Sequence, residues 1–177
     1  MDELRVNNSL IQLVQGDITM EETDAIVNAA NKQLSPGGGV SGAIHKAAGP
    51  GLWEEAKKID GCDTGEATIT YGHNLRAKYV IHTVGPVYSG SPEDSKLLRS
   101  CFMESLRLAS THDVKTISFS AISTGIFGYP VPEAAGVSLR AVRDYLLEHP
   151  EIQIVRFVLF SENDVAVFRK TLETVEI

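Results

Sequence analysis

"DAIVNAANKQLSPGGGVSGAIHKAAGPG", Asp24 to Gly51, opens on a buried-looking apolar run, ends that run in two asparagines and closes on a helical pattern. Between the two halves stand three consecutive glycines, Gly37 to Gly39, at what reads as the first turn of the helix. So flexible a loop is costly to order, and it makes physical sense where something must approach the backbone closely. Strand, glycine loop and helix in that order form one β–α step, with amides at the helix start aimed at an anion.

Working outward, the same alternation runs through the chain. "LIQLVQG" (Leu10 to Gly16), Asp24 to Ala30, "EATITYG" (Glu66 to Gly72), "KYVIHTVG" (Lys78 to Gly85), "KTISFSAI" (Lys115 to Ile122) and "IQIVRFVLF" (Ile152 to Phe160) read as strands. Several are apolar almost throughout, as strands covered on both faces are. Leu98, Cys101, Phe102, Ser105, Leu106 and Ala109 repeat at helical spacing, with Ser91 as the expected N-cap, Pro92 in the first helical position and Asp94 three residues after the cap. Ala135, Leu139, Val142 and Leu146 form a second stripe opened by Pro132, and Ser161 with Asp164 forms a capping box ahead of Val165 and Phe168. This predicts an α/β fold with a largely parallel or mixed sheet between helices, in one domain spanning residues 1–177.

In such sheets ligands collect beyond the carboxyl ends of the strands. "GD" follows the first of these strands, "NAAN" and "GGG" the second, and "STGIFG" the fifth, so three loops are expected on one rim. Gly37, Gly39 and Gly42 match the dinucleotide fingerprint G-x-G-x-x-G, but "NKQLSP" separates them from the strand, and no Walker pattern is present. What remains is the physics shared by both motifs, a glycine loop opening a helix. In "AISTGIFGYP" (Ala121 to Pro130), Ser123 and Thr124 offer hydroxyls, Gly125 and Gly128 permit close approach, and Phe127 either stacks on a sugar or base or anchors the loop. Two amide-rich loops on one rim suggest two phosphates.

Asn28 reads as a structural cap and Asn31, nearer the glycines, as the ligand candidate. Asp17 is either an N-cap working with Thr19 or an acceptor for an exocyclic amine. His45 is either a helix-face histidine or, one turn after Ser41, a partner in a proton relay with that hydroxyl.

Composition narrows the chemistry. The 177 residues carry a formal charge of −7, so the basic field needed for a nucleic-acid backbone is missing. The first residues show no apolar signal segment and no membrane span, which predicts a cytoplasmic protein. Cys62 and Cys101 lack metal-ligand spacing, the histidines His45, His73, His82, His112 and His149 show no H-x-x-x-H pair, and no G-x-S-x-G elbow surrounds Ser41 or Ser123. No metal is expected.

"VQGDIT", "DAIVNAAN", "GGGVSGAIHKAAGP", "HTVGP" and "AISTGIFGYP" together resemble, in order and spacing, the macrodomain family, in the branch similar to O-acetyl-ADP-ribose deacetylases and mono-ADP-ribosyl hydrolases. The resemblance runs from about Leu10 to Phe168 and implies a three-layer α/β/α sandwich that binds ADP-ribose or O-acetyl-ADP-ribose, with mono-ADP-ribosylated proteins as partners and no cofactor. By position it assigns the adenine amine to Asp17 and an adjoining backbone contact to Ile18. The diphosphate falls to Gly38, Gly39 and Val40 with Ser123, Thr124, Gly125, Ile126 and Phe127, and the distal ribose lies between Asn31 and Phe127.

The chain departs from that branch at Ser41, where its relatives usually read G-V-D-G. A serine hydroxyl is no general base near pH 7 without a neighbouring base. Members resembling viral macrodomains also lack that aspartate and are regarded as active. The sequence therefore leaves Asn31, Ser41 and His45 as the catalytic candidates of an ADP-ribosyl ester hydrolase, beside a non-catalytic reader of ADP-ribose using the same cleft. A hydrolase of another diphosphate is the third reading, for which no metal site is visible.

Overall fold

The computed structural model of the chain describes residues 2–177. Seven strands form one sheet: β1 (Glu3–Val6), β2 (Ser9–Gln15), β3 (Ala25–Ala29), β4 (Ala67–Tyr71), β5 (Tyr79–Thr83), β6 (Thr116–Phe119) and β7 (Ile154–Leu159). Their order across the sheet is β1-β2-β7-β6-β3-β5-β4. The inner pairs are parallel, and only the two edges, β1 on β2 and β4 on β5, are antiparallel.

Five helices cover the sheet: α1 (Gly39–Ala48), α2 (Pro50–Ala56), α3 (Glu93–Thr111), α4 (Val131–Glu148) and α5 (Glu162–Leu172). Alternation along each strand sends residues to two apolar layers. On one face Phe119 and Phe157 meet Phe102 of α3 and Phe168 of α5, with ring centroids 4.7 Å apart for Phe102–Phe119 and 5.5 Å for Phe157–Phe168. On the other, Ile26, Val80 and Val158 pack against Ile44 of α1 and Leu52 of α2. The arrangement is the expected three-layer α/β/α sandwich, with a mixed and largely parallel sheet.

Two elements escaped the sequence reading. β1 is a short edge strand in which charged and apolar residues alternate, and α2 begins inside "GPG", which reads as a turn but places Pro50 at the first helical position. One cap differs from expectation. Ser91 Oγ accepts from Glu93 N at 3.2 Å, but the helix starts at Glu93 with Pro92 at its N-cap, and the Asp94 carboxylate turns back to accept from Ser89 N and Gly90 N, each at 2.8 Å. At α5 the expected box forms, with Asp164 N donating to Ser161 Oγ at 3.1 Å.

The β3–β6 ladder positions the site. It pairs only Ala25 with Ile117 and Ile26 with Ser118, after which the strands separate, so β6 ends at Phe119 and not at Ile122. The chain leaves β3 toward β5 and leaves β6 toward β7, so this gap is a topological switch point, where a crevice opens beyond the strand ends.

Candidate functional site

On one side of the crevice, β3 runs through Asn28 and Asn31 into the glycine loop. The Asn31 amide ties that loop, donating from Nδ2 to Ser35 O at 3.1 Å and accepting from Ser35 N at Oδ1 at 3.0 Å. A β-carbon on Gly37 would lie 3.6 Å from Asn31 Nδ2, which puts the amide directly beneath the glycines. Gly38 caps α1 without a side-chain acceptor, so the N–H groups of the first turn are left for a ligand. Gly39 sits at φ +55°, and a β-carbon on Gly42 would come within 2.5 Å of Gly37 O, so the loop folds tightly only with glycine there. Above Gly38 and Gly39 a β-carbon would meet nothing within 4 Å. The cradle is open.

Opposite stands the loop after β6. Thr124 Oγ1 donates to Ala121 O at 2.8 Å, Gly128 N to Gly125 O at 3.0 Å and Tyr129 N to Ser123 O at 2.9 Å. Ser123 is buried at φ +68°, an unusual conformation for a side-chain-bearing residue. The chain after β5 supports this loop, since Tyr88 N donates to Phe127 O at 2.8 Å and a β-carbon on Gly85 would overlap Ser123 Oγ. Ile126 is 99% exposed, and Phe127 is half-buried and belongs to none of the apolar clusters. Of its two readings, the core anchor is the one the packing does not supply.

The third wall starts at Asp17, exposed at the end of β2. Its Oδ1 caps a 3₁₀ turn, Ile18–Met20, accepting from Thr19 N at 2.9 Å and Thr19 Oγ1 at 2.7 Å. That is the N-cap role, and it leaves Oδ2 as a second acceptor. The Ile18 side chain is buried against Val40 and Ile44, so only its backbone is offered to the rim. Phe160, absent from the sequence-based candidates, is 89% exposed just beyond β7, where Gly16 N donates to Leu159 O at 3.0 Å. An aromatic between a strand end and an N-cap serine was the signal available for it.

Beneath the glycine loop lies a set of buried polar groups. Asn28 is buried but caps no backbone group as the sequence suggested: its Nδ2 lies 3.1 Å from His82 Nδ1, its Oδ1 has no partner among the described residues, and His82 Nε2 lies 2.9 Å from Thr70 Oγ1. Ser41 and His45 are both buried on α1. The hydrogen bond that their i, i+4 spacing suggests does not form: among the described residues Ser41 Oγ and both His45 ring nitrogens have no partner. Burial holds His45 below the usual histidine range. It pushes His82 further, to about 3, with the His45 charge contributing. Cys62 and Cys101 are unpaired, and burial lifts both thiols to about 11, far from thiolate chemistry. Among the described residues no three His, Cys, Asp or Glu side chains gather as metal ligands, and no helix is long and apolar enough to cross a membrane.

The profile of the family described as "Macro domain" matches residues 27–138. The chain belongs to the macrodomain family. A macro domain-containing protein of Caldanaerobacter subterraneus is 53% identical over 171 residues, covering 94% of this chain and 97% of its own. The Xenopus laevis ADP-ribose glycohydrolase MACROD2 is 48% identical over 177 residues, covering 97% of this chain but 42% of its own, so this macrodomain spans less than half of that relative. Among solved structures, the Oceanobacillus iheyensis macrodomain with ADP superimposes with a TM-score of 0.94 at 39% identity, covering 97% of this chain and 94% of that one.

Proposed function

We propose that this macrodomain binds ADP-ribose across the crevice and hydrolyses ADP-ribosyl esters, releasing acetate from O-acetyl-ADP-ribose or a carboxylate side chain from a mono-ADP-ribosylated protein. The observation that carries the reading is the pair of amide-rich loops facing one another across the β3–β6 gap, with open space over Gly38, Gly39 and Gly125. Neutral N–H groups explain how a chain of charge −7 would hold a diphosphate without a cluster of cations. The name of the Xenopus relative supports ADP-ribosyl chemistry, and the ADP in the bacillar structure supports a nucleotide diphosphate in such a fold.

In this reading Gly38, Gly39 and Val40 cradle one phosphate and Ser123 to Phe127 the other. Asp17 Oδ2 takes the adenine amine beside the Ile18 backbone, Phe160 stacks on the base, and Asn31 and Phe127 hold the distal ribose. Ser41 and His45 direct the attacking water. His45, held neutral by burial, has a lone pair to receive its proton. Water adds to the acyl carbon, the acyl–oxygen bond breaks and the ribose oxygen leaves as a hydroxyl. Where the ester sits on the anomeric carbon, the same products arise by attack at that carbon, which is the sense of the name glycohydrolase. Turnover in ¹⁸O-water separates the routes: label in the released carboxylate marks acyl attack. Residues 1–177 act as a single macrodomain in this proposal, and two buried free thiols suit the reducing cytosol.

The test compares wild type with Ser41→Asp, following ADP-ribose release from O-acetyl-ADP-ribose. Wild-type turnover well above buffer is expected, with a gain of roughly 10²–10⁴-fold in the variant, the typical worth of a positioned acid or base. Turnover only in the variant would make the protein a reader, and failure of ADP-ribose to bind either form would remove the site assignment.

A further inference from the structure

The face of the sheet under the Asp17 turn carries a polar row with no part in the chemistry just described. Gln12 of β2, Arg156 of β7 and Ser118 of β6 are register partners, Gln12 with Arg156 and Arg156 with Ser118. They lie side by side across three strands. Arg156 Nη1 donates to Gln12 Oε1 at 2.9 Å. Over the row hangs Glu21, the residue that closes the 3₁₀ turn, whose own N–H donates to Ile18 O at 3.2 Å. Its Oε1 accepts from Arg156 Nε at 2.7 Å and from Ser118 Oγ at 2.7 Å.

α1 and α2 cover the apolar part of this face, and the segment from Gly16 to Asp24 crosses the remaining strands with no helix beyond the 3₁₀ turn. The turn itself holds few internal bonds: the Asp17 cap, Met20 N to Asp17 O at 3.0 Å, and Glu21 N to Ile18 O. A turn so short cannot set its own height above the sheet. The segment is held at its ends by β2 and by Asp24, whose Oδ2 accepts from Lys115 N at 2.9 Å and Thr116 N at 3.1 Å, and in its middle by the buried Ile18 side chain. Glu21, with Thr23 Oγ1 2.8 Å from Ser118 Oγ, supplies the polar anchor between the turn and the sheet row beneath it. A shielded guanidinium–carboxylate pair adds little net stability over an apolar pair of similar volume, but its directional bonds define one geometry.

We propose that Glu21, through Arg156 and Ser118, is a positioning residue that sets the height and orientation of Asp17 and so determines the selectivity for the base of the ligand. The inference rests on the proposed assignment of Asp17 to the exocyclic amine. It makes the polar row a specificity device outside the crevice, whose members touch no ligand.

The decisive measurement is a ratio. ADP-ribose and its inosine counterpart, which carries an oxygen in place of the amine, are titrated into wild type, Glu21→Leu and Glu21→Gln. Wild type should favour ADP-ribose by about tenfold or more, Glu21→Leu should bring the ratio close to one, and Glu21→Gln, which keeps an oxygen acceptor for Arg156 and Ser118, should restore most of it. In turnover, Glu21→Leu should raise KM for O-acetyl-ADP-ribose and leave kcat unchanged. Should Glu21→Leu not fold, Arg156→Lys, which retains charge but cannot bridge Gln12 and Glu21 together, carries the same comparison. An unchanged ratio in the variants, or equal weakening of both ligands, overturns the proposal. If wild type binds both ligands equally, the Asp17 assignment falls and the proposal with it; if it binds neither, the fault lies in the proposed function.

Discussion

Asn28 and His82 stand opposite one another in the β3–β5 ladder and meet through Asn28 Nδ2 and His82 Nδ1, 3.1 Å apart. The amide nitrogen can only donate, so Nδ1 accepts and the ring proton sits on Nε2, from which it is given to Thr70 Oγ1 at 2.9 Å. Thr70 Oγ1 in turn donates to Tyr71 O at 3.2 Å. The chain of bonds fits a neutral imidazole, in agreement with burial driving the His82 pKa down to about 3.

A pH dependence of stability follows. Below the ordinary histidine value of 6.5 the unfolded chain takes up a proton that folded His82 refuses until about pH 3. The stability is fully present above 6.5 and falls as the pH drops through that window, by about 1.4 kcal/mol per pH unit for one proton. Denaturant unfolding at pH 7, 6 and 5 should show this slope in wild type and a shallower one in His82→Gln. Parallel slopes would show that His82 is not the group responsible.

Gly38→Glu should separate binding from folding. Gly38 has φ −93° and ψ −174°, an extended conformation open to any residue, and a β-carbon there meets nothing within 4 Å. The thermal midpoint should therefore stay within a few degrees of wild type. The glutamate carboxylate fills the phosphate cradle and sets its charge against the diphosphate, and calorimetry should find ADP-ribose affinity lowered at least 100-fold, roughly 2.7 kcal/mol. Retained affinity would place the diphosphate elsewhere.

Gly85→Ala should act through a neighbour. The added carbon overlaps Ser123 Oγ and lies 2.8 Å from Ile122 Cγ2. Ser123 cannot easily yield, because its carbonyl is bonded to Tyr129 N and its φ is already +68°. The expected result is a loss of about 1–3 kcal/mol in stability, as for overpacking elsewhere, together with weaker ligand binding. Adding Ser123→Gly removes the obstructing side chain and relieves the positive φ, so the double variant should recover much of both losses. Failure of that rescue would break the proposed contact.

Phe160→Ala should weaken ADP-ribose binding by about 1–3 kcal/mol, the usual value of one aromatic–base stack, without destabilising the fold. At 89% exposure the ring contributes little to the core. Isothermal titration of the variant with ADP-ribose and with ribose 5-phosphate provides the check, since only the first ligand carries a base. Equal effects on both would contradict a stacking role.

Much of this could be read from the chain itself. Apolar runs such as Ile152 to Phe160, helical stripes such as Leu98–Cys101–Phe102, and the glycines before α1 encode local preferences, and local preferences are carried by neighbours in sequence. They were enough to predict the alternating architecture and the shared rim. The edge strand β1 and helix α2 were not legible, because a four-residue strand and a helix opened by "GPG" depend on what they pack against.

Sequence alone determined that glycine-rich loops, rather than a cluster of cations, follow the strands of the shared rim. Only the tertiary structure decided that β3 and β6 part after two paired residues, that Ser41 and His45 share a helix without sharing a bond, and that Glu21 meets Arg156 across 135 positions of sequence. The physical reason is the range of the forces involved. Backbone propensity acts over a few residues, whereas strand divergence, burial and a hydrogen bond between distant side chains exist only after the sheet has brought them together.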